Sequence, residues 1–175
     1  MKTSSAFTER GRTAIDSRLP LRARGAEALP DKLTTDERVA IARDFVARVF
    51  NEHHPERARE YVMSDVVWHG GSLGTVSGVD NMVALPTGFI GPLSELHAEE
   101  QDVIASDDLV AMRLVVSATQ TGDLLGIPAT GRRVESDAVD IYRVTDDGKI
   151  REEWAADDTA AFASQLGALS LPWAS

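Results

Sequence analysis

The second half of the chain holds four β-favouring segments in succession, residues 95–105, 109–120, 134–144 and 150–156, with no helical pattern between them. The longest reads LVAMRLVVSATQ from Leu109 to Gln120, after a turn at Asp107-Asp108. A loop carrying Gly122, Gly126, Pro128 and Gly131 separates the middle two. Asp146-Asp147-Gly148-Lys149 suits a hairpin turn, because Asp and Gly tolerate positive φ.

The helical patterns come mostly before these strands. Thr34 and Glu37 form a capping box. Val39, Ala42, Phe45, Val46, Val49 and Phe50 then fall on one helical stripe. That helix should end near His53-His54, and Pro55 can open a short second helix through Arg59. Val66-Val67-Trp68 is a brief β run broken by Gly70, Gly71 and Gly74. Asp80 to Phe89 reads as a helix interrupted by Pro86 and stopped by Gly91-Pro92. Asp158 or Thr159 can cap a closing helix that ends at Gly167. Helices first and consecutive strands second give an α+β fold: a mostly antiparallel sheet with helices on one face. A curled sheet closed by helices leaves a pocket, the usual seat of function.

At 175 residues, 43% hydrophobic and 26% charged, the chain has the material for one domain. Its net charge of -10 argues against nucleic acid and anionic membrane surfaces as partners. No apolar run is long enough to span a membrane, and no secretory signal core opens the chain, so the expected location is the cytoplasm. There is no cysteine, which excludes thiolate metal sites and thiol nucleophiles. Residues 1–30 carry six basic and three acidic side chains, net +3, leaving -13 for the remainder. They read as a flexible basic arm before a domain at 31–175. The arm could be a solvated tail, could lie on an acidic body, or could be a transit peptide.

Thr121-Gly122-Asp123-Leu124-Leu125-Gly126-Ile127-Pro128-Ala129-Thr130-Gly131-Arg132-Arg133 resembles a segment of the SnoaL-like polyketide cyclases. Asp140-Ile141-Tyr142-Arg143-Val144, Asp147-Gly148-Lys149-Ile150, Glu153-Trp154, Asp158 and Gln165-Leu166-Gly167 follow at matching separations. Asp65-Val66-Val67-Trp68-His69-Gly70 agrees more loosely. The resemblance implies a fold like nuclear transport factor two, a cone of curved sheet and helices around an internal cavity. It also implies ring closure by intramolecular aldol condensation, without metal or cofactor, driven by an acid/base residue in the cavity. The family's acid/base aspartate usually follows the tryptophan directly. Ala155 stands there in this chain, Asp140 stands where the founding cyclase has histidine, and Gln120 replaces a frequent histidine.

Asp140 lies mid-strand between Val139 and Ile141, where an aspartate needs a compensating reason. Buried in a pocket it would titrate near neutrality and serve as base or acid. Otherwise it would pair with Arg113, Arg132 or Arg143. His69 could assist as proton shuttle, or face solvent at a strand end. Asp157 shares a strand face with Ala155 and could replace the missing acid, whereas a helix cap explains Asp158. Trp68, Phe89, Met112, Tyr142 and Trp154 suit either cavity wall or plain core. Gln120 or Tyr142 could donate to an oxyanion. No histidine or carboxylate spacing suggests a metal.

The primary expectation is a cyclase or isomerase acting on a hydrophobic, polyketide-like small molecule. A non-catalytic binding domain is one alternative. An epoxide-opening enzyme is another: Arg113 would be part of an Asp/Arg/Asp site, although position 115 is valine. Strand 109–120 carries apolar side chains on both faces, which predicts a homodimer through the outer face of the sheet.

Overall fold

The structure, a computed structural model, describes residues 32–173. The basic arm expected at 1–30 lies outside the described residues. Helix α1 runs Thr35–Phe45 and is opened by the anticipated capping box, with Glu37 N–H donating to Thr34 Oγ1 at 3.2 Å and Thr34 N–H to Glu37 at 2.8 Å. It continues as a π-helical turn, Val46–Asn51. A 3₁₀ turn at Pro55–Arg57 leads into α2, Ala58–Tyr61. Next come β1 (Val62–His69), β2 (Thr75–Ser77) and α3 (Val79–Ile90). Four strands then follow without an intervening helix: β3 (Leu93–Ser106), β4 (Leu109–Gln120), β5 (Arg133–Val144) and β6 (Ile150–Asp157). Helix α4, Thr159–Gln165, closes the fold, its first turn capped by Asp158 accepting from Ala161 N–H at 2.8 Å.

The six strands form one sheet in the order β2-β1-β6-β5-β4-β3. Every pairing is antiparallel except β1 with β6, which run parallel. The parallel step carries the early strand β1 to the side of the last one, so Trp68 comes opposite Glu153.

The first half departs from expectation in two places. β1 begins at Val62, four residues before the run at Val66, and β2 follows the glycines as a short antiparallel partner. α3 also runs through Pro86 instead of breaking there. Met82 and Pro86 are both buried, and packing of a helix face outweighs the loss of one backbone hydrogen bond.

The inner face of the sheet packs on α1 and the turn after it. Ala42, Phe45, Val46 and Val49 meet Val110, Met112, Leu114, Ala138, Tyr142 and Val144 in one buried cluster. Phe45 is its hub, fully buried, with Phe50, Tyr61 and Tyr142 edge-on at 6.0, 5.7 and 5.7 Å. At the end of β1 the Trp68 indole covers Gly70. A Cβ on Gly70 would lie 1.7 Å from that ring, so only glycine lets Trp68 fold back over the chain.

Candidate active site

The site follows from the register of β5 and β6. Side chains alternate between faces along a strand. On the inner face Ala138 pairs with Asp157, Asp140 with Ala155, and Tyr142 with Glu153. Asp140 therefore has Ala155 directly across from it and the two other carboxylates on its diagonals. Such diagonal neighbours lie roughly 7–8 Å apart. Extended backbone reaches Asp157, which keeps that residue on the same face as Ala155 and Glu153.

These three carboxylates line one cavity. Its remaining wall is mostly apolar, with Phe50, Trp68, Leu85, Phe89, Leu114 and Phe162 prominent and Ser136, Asp158 and Thr159 the other polar residues. Among the described residues no lysine, arginine or histidine lines it. Its volume of about 140 Å³, as space open to water centres, is about ten times what one water requires.

Asp140 and Glu153 are pushed the same way. Burial raises the Asp140 carboxyl to about 7, the Asp157 charge adds to the rise, and a hydrogen bond from Tyr142 opposes it. Burial pushes Glu153 well above the ordinary carboxylate range, with Asp140 and Asp157 adding to it and a hydrogen bond from Trp68 opposing. Glu153 is only 3% exposed, and its Oε2 has no hydrogen-bond partner among the described residues. Asp157 sits at the exposed end of the row, yet burial still raises its carboxyl. The Tyr142 hydroxyl is buried and donates to Asp140 Oδ2 at 3.2 Å, and burial first, then Asp140, raises its own pKa. The three arginines that could have neutralised Asp140 are engaged elsewhere. Arg113 binds Asp102, Arg132 binds the Gln165 carbonyl, and Arg143 binds Asp108 and Glu152.

Of the residues singled out in the sequence, Asp140, Asp157, Trp68 and Phe89 meet at the cavity. Met112 is in the core across from Asp140, and Tyr142 is in the core as the holder of that carboxylate. Three others do not come to the cavity. His69 follows the inward Trp68 and so points to the outer face, where its Nε2 lies 3.0 Å from Glu152 and its ring stacks on Trp154 at 5.5 Å. Trp154 follows the inward Glu153 and is outward for the same reason, with the Arg143 guanidinium 5.6 Å above its ring. Neither can assist Asp140 from there. Gln120 is fully buried, but its amide donates to the Ile127 carbonyl at 3.1 Å and its oxygen accepts from Thr130 Oγ1 at 2.7 Å. It pins the loop between β4 and β5 and is not among the residues that line the cavity. Arg113 is outward and exposed, which removes the basis for an epoxide-opening triad.

Glu153 was not singled out in the sequence as a cavity residue. The signal was its spacing, four residues before Asp157 and two before Ala155, hence on their face of the strand.

A family model described as SnoaL-like polyketide cyclase matches residues 40–166. The aklanonic acid methyl ester cyclase DnrD of Streptomyces peucetius is 34% identical over 79 residues, which cover 45% of this chain and 52% of the relative. The chain thus spans about half the length of the curated relatives it matches. AclR, a proposed hydroxylase from Streptomyces galilaeus, superposes with a TM-score of 0.70 at 28% identity, covering 78% of this chain and 100% of that one. IdmH, a proposed polyketide cyclase from Streptomyces antibioticus, gives 0.63 at 28% identity over 74% and 98% of the two chains.

Proposed function

Because the chain belongs to the SnoaL-like polyketide cyclase family, we propose that it closes a ring in a polyketide-like molecule by an aldol-type intramolecular addition with its own carboxylates. The observation that carries this reading is Asp140, an unpaired carboxylate held by Tyr142 in an apolar cavity and poised to titrate near neutrality. A carbon acid between two carbonyls loses its proton to a base whose pKa lies near the working pH. Asp140 takes that proton, and the enolate carbon attacks a ketone of the same molecule. The new alkoxide then recovers the proton from Asp140, so the product is an isomer of the substrate. Asp157 at the open end adds negative charge that keeps Asp140 basic. Trp68, Phe89 and the aliphatic wall hold a flat hydrophobic substrate and keep water away.

The fold alone does not decide the reaction, as the hydroxylase assignment of one structural neighbour illustrates. The test is turnover. Purified protein with an aromatic polyketide methyl ester that carries a free β-dicarbonyl arm should give a product of unchanged mass and shifted retention. Binding without conversion would favour the non-catalytic reading, which the alanine at position 155 would then explain.

We also propose a homodimer through the outer sheet face. Outward-facing Val139 is 37% exposed, and Ala111 and Ile141 pair beside it on the same face. Such a patch is stabilised by burial against a second copy. Sedimentation at micromolar concentration should show a species near twice the 18.9 kDa chain mass, and Val139→Glu should shift it towards the monomer. A single monomeric species in the wild type would refute the dimer.

A further inference from the structure

Aldol chemistry places negative charge on oxygen twice, first on the enolate and then on the alkoxide. An enzyme of this kind needs a donor aimed at that oxygen. Neither donor suggested by the sequence serves: Gln120 is tied to its loop and does not line the cavity, and the Tyr142 hydroxyl is given to Asp140. No cationic side chain lines the cavity among the described residues. The Ser136 hydroxyl lines it, but Ser136 is four residues along β5 from Asp140, about 13 Å at strand rise. Thr159 lies past the end of β6, in the first turn of α4.

Glu153 has what these lack. It lines the same cavity, sits on the diagonal of Asp140, and is more than nine-tenths buried with one oxygen unpartnered. A buried polar atom left unpaired is costly, and a group that a ligand completes explains why the cost is tolerated. We propose that Glu153 is a second catalytic group of this cavity, donating a hydrogen bond to the substrate oxygen that becomes the enolate. This deepens the cyclase reading and rests on it.

Burial, Asp140 and Asp157 all favour the protonated, donating form of Glu153. The Tyr142 hydroxyl donates to Asp140 and favours its ionised form, which makes Asp140 the base of the pair. Two carboxyl groups with environments that separate their pKa values can divide acid and base roles between them. Asp140 removes the carbon-bound proton, and the C–H electron pair moves into the enolate. The Glu153 O–H donates to the enolate oxygen without giving up its proton. The enolate carbon forms the C–C bond, the ketone π pair moves to oxygen, and the proton held by Asp140 passes to that alkoxide. Glu153 begins and ends protonated, and no further reactant is needed.

The test uses 4-nitrophenolate at pH 8 as the oxyanion probe. Asp140→Asn provides the background, since the amide imitates the aspartic acid of the enolate state. Asp140→Asn should bind the probe. Adding Glu153→Leu should weaken binding by about 10- to 100-fold, the usual scale for losing a hydrogen bond to a charged acceptor. Adding Glu153→Gln should keep most of the affinity, because its amide N–H still donates. A thermal midpoint no lower than that of the background would show that the leucine variant is folded, as an apolar side chain of similar size is expected to be there. Equal affinity in the leucine variant, or no binding by Asp140→Asn, would overturn the proposal. Turnover by the wild type reads the cyclase function separately from both.

Discussion

Asp140→Asn should lower ring closure by about 10²–10⁴-fold, the usual contribution of a positioned base, while making the protein more stable at pH 8. The two effects have one cause. Burial raises the carboxyl to about 7 in the folded protein, against about 3.9 for an aspartate in an unfolded chain. Between those pH values the folded state binds a proton that the unfolded chain does not, so stability falls as pH rises. The contribution is complete below about pH 4 and lost as pH passes through about 7. The asparagine variant has no such loss, so its urea midpoint should fall less from pH 5 to pH 8 than that of the wild type. Activity runs the other way. The base must be ionised, so the wild-type rate should climb through about pH 7 and level off above it. That limb belongs to the carboxylate group as a whole, since Asp140, Glu153 and Asp157 feel one another's charge. Lost activity together with lost stability would mean the substitution acts by disrupting the fold.

Phe45→Ala should cost about 3–5 kcal/mol of stability, the range for emptying a buried phenylalanine site. That is a large part of the roughly 5–15 kcal/mol that holds a domain of this kind together. Phe45 has no exposed surface, and three aromatic rings meet it edge-on, so the surroundings cannot collapse into the space without giving up those contacts. One of the three is Tyr142, whose hydroxyl orients Asp140. The variant should therefore lose activity under conditions where it is still folded. Urea unfolding is the check: a lower midpoint with an unchanged slope is expected. A change under 1 kcal/mol would contradict the role of Phe45 as the hub of the core.

Local patterns in the sequence read well wherever the deciding physics is local. The capping box at Thr34 and Glu37, the bounds of β4 and the cap at Asp158 each depend on residues within a few positions of one another. The parallel pairing of β1 with β6 was not legible, because it joins segments more than eighty residues apart and nothing in either one encodes the partner. Asp140 was legible as a cavity residue because an aspartate is out of place in an apolar strand. Its neighbours on β6 were harder. Trp154 suited cavity wall or core and Glu153 entered only through the family resemblance, whereas Glu153 is inward and Trp154 lies outward over the β1 end, stacked on His69. A one-residue difference in facing exchanges which side chains meet the cavity. That exchange took His69 and Trp154 out of the site and brought Glu153 in. Gln120 was misjudged differently: a buried amide can be consumed by its own loop, and only the positions of Ile127 and Thr130 reveal it.

The most direct test of the account is hydrogen exchange at the acidic carbon, followed by mass spectrometry in deuterated buffer with a polyketide ester whose accepting ketone has been reduced. Ring closure is then blocked, and only proton removal is read. The wild-type protein should wash in deuterium well above the buffer rate, and Asp140→Asn should do so close to the buffer rate. Equal exchange by both proteins, or none above buffer by the wild type, would contradict the assignment of Asp140 as the base of this cavity.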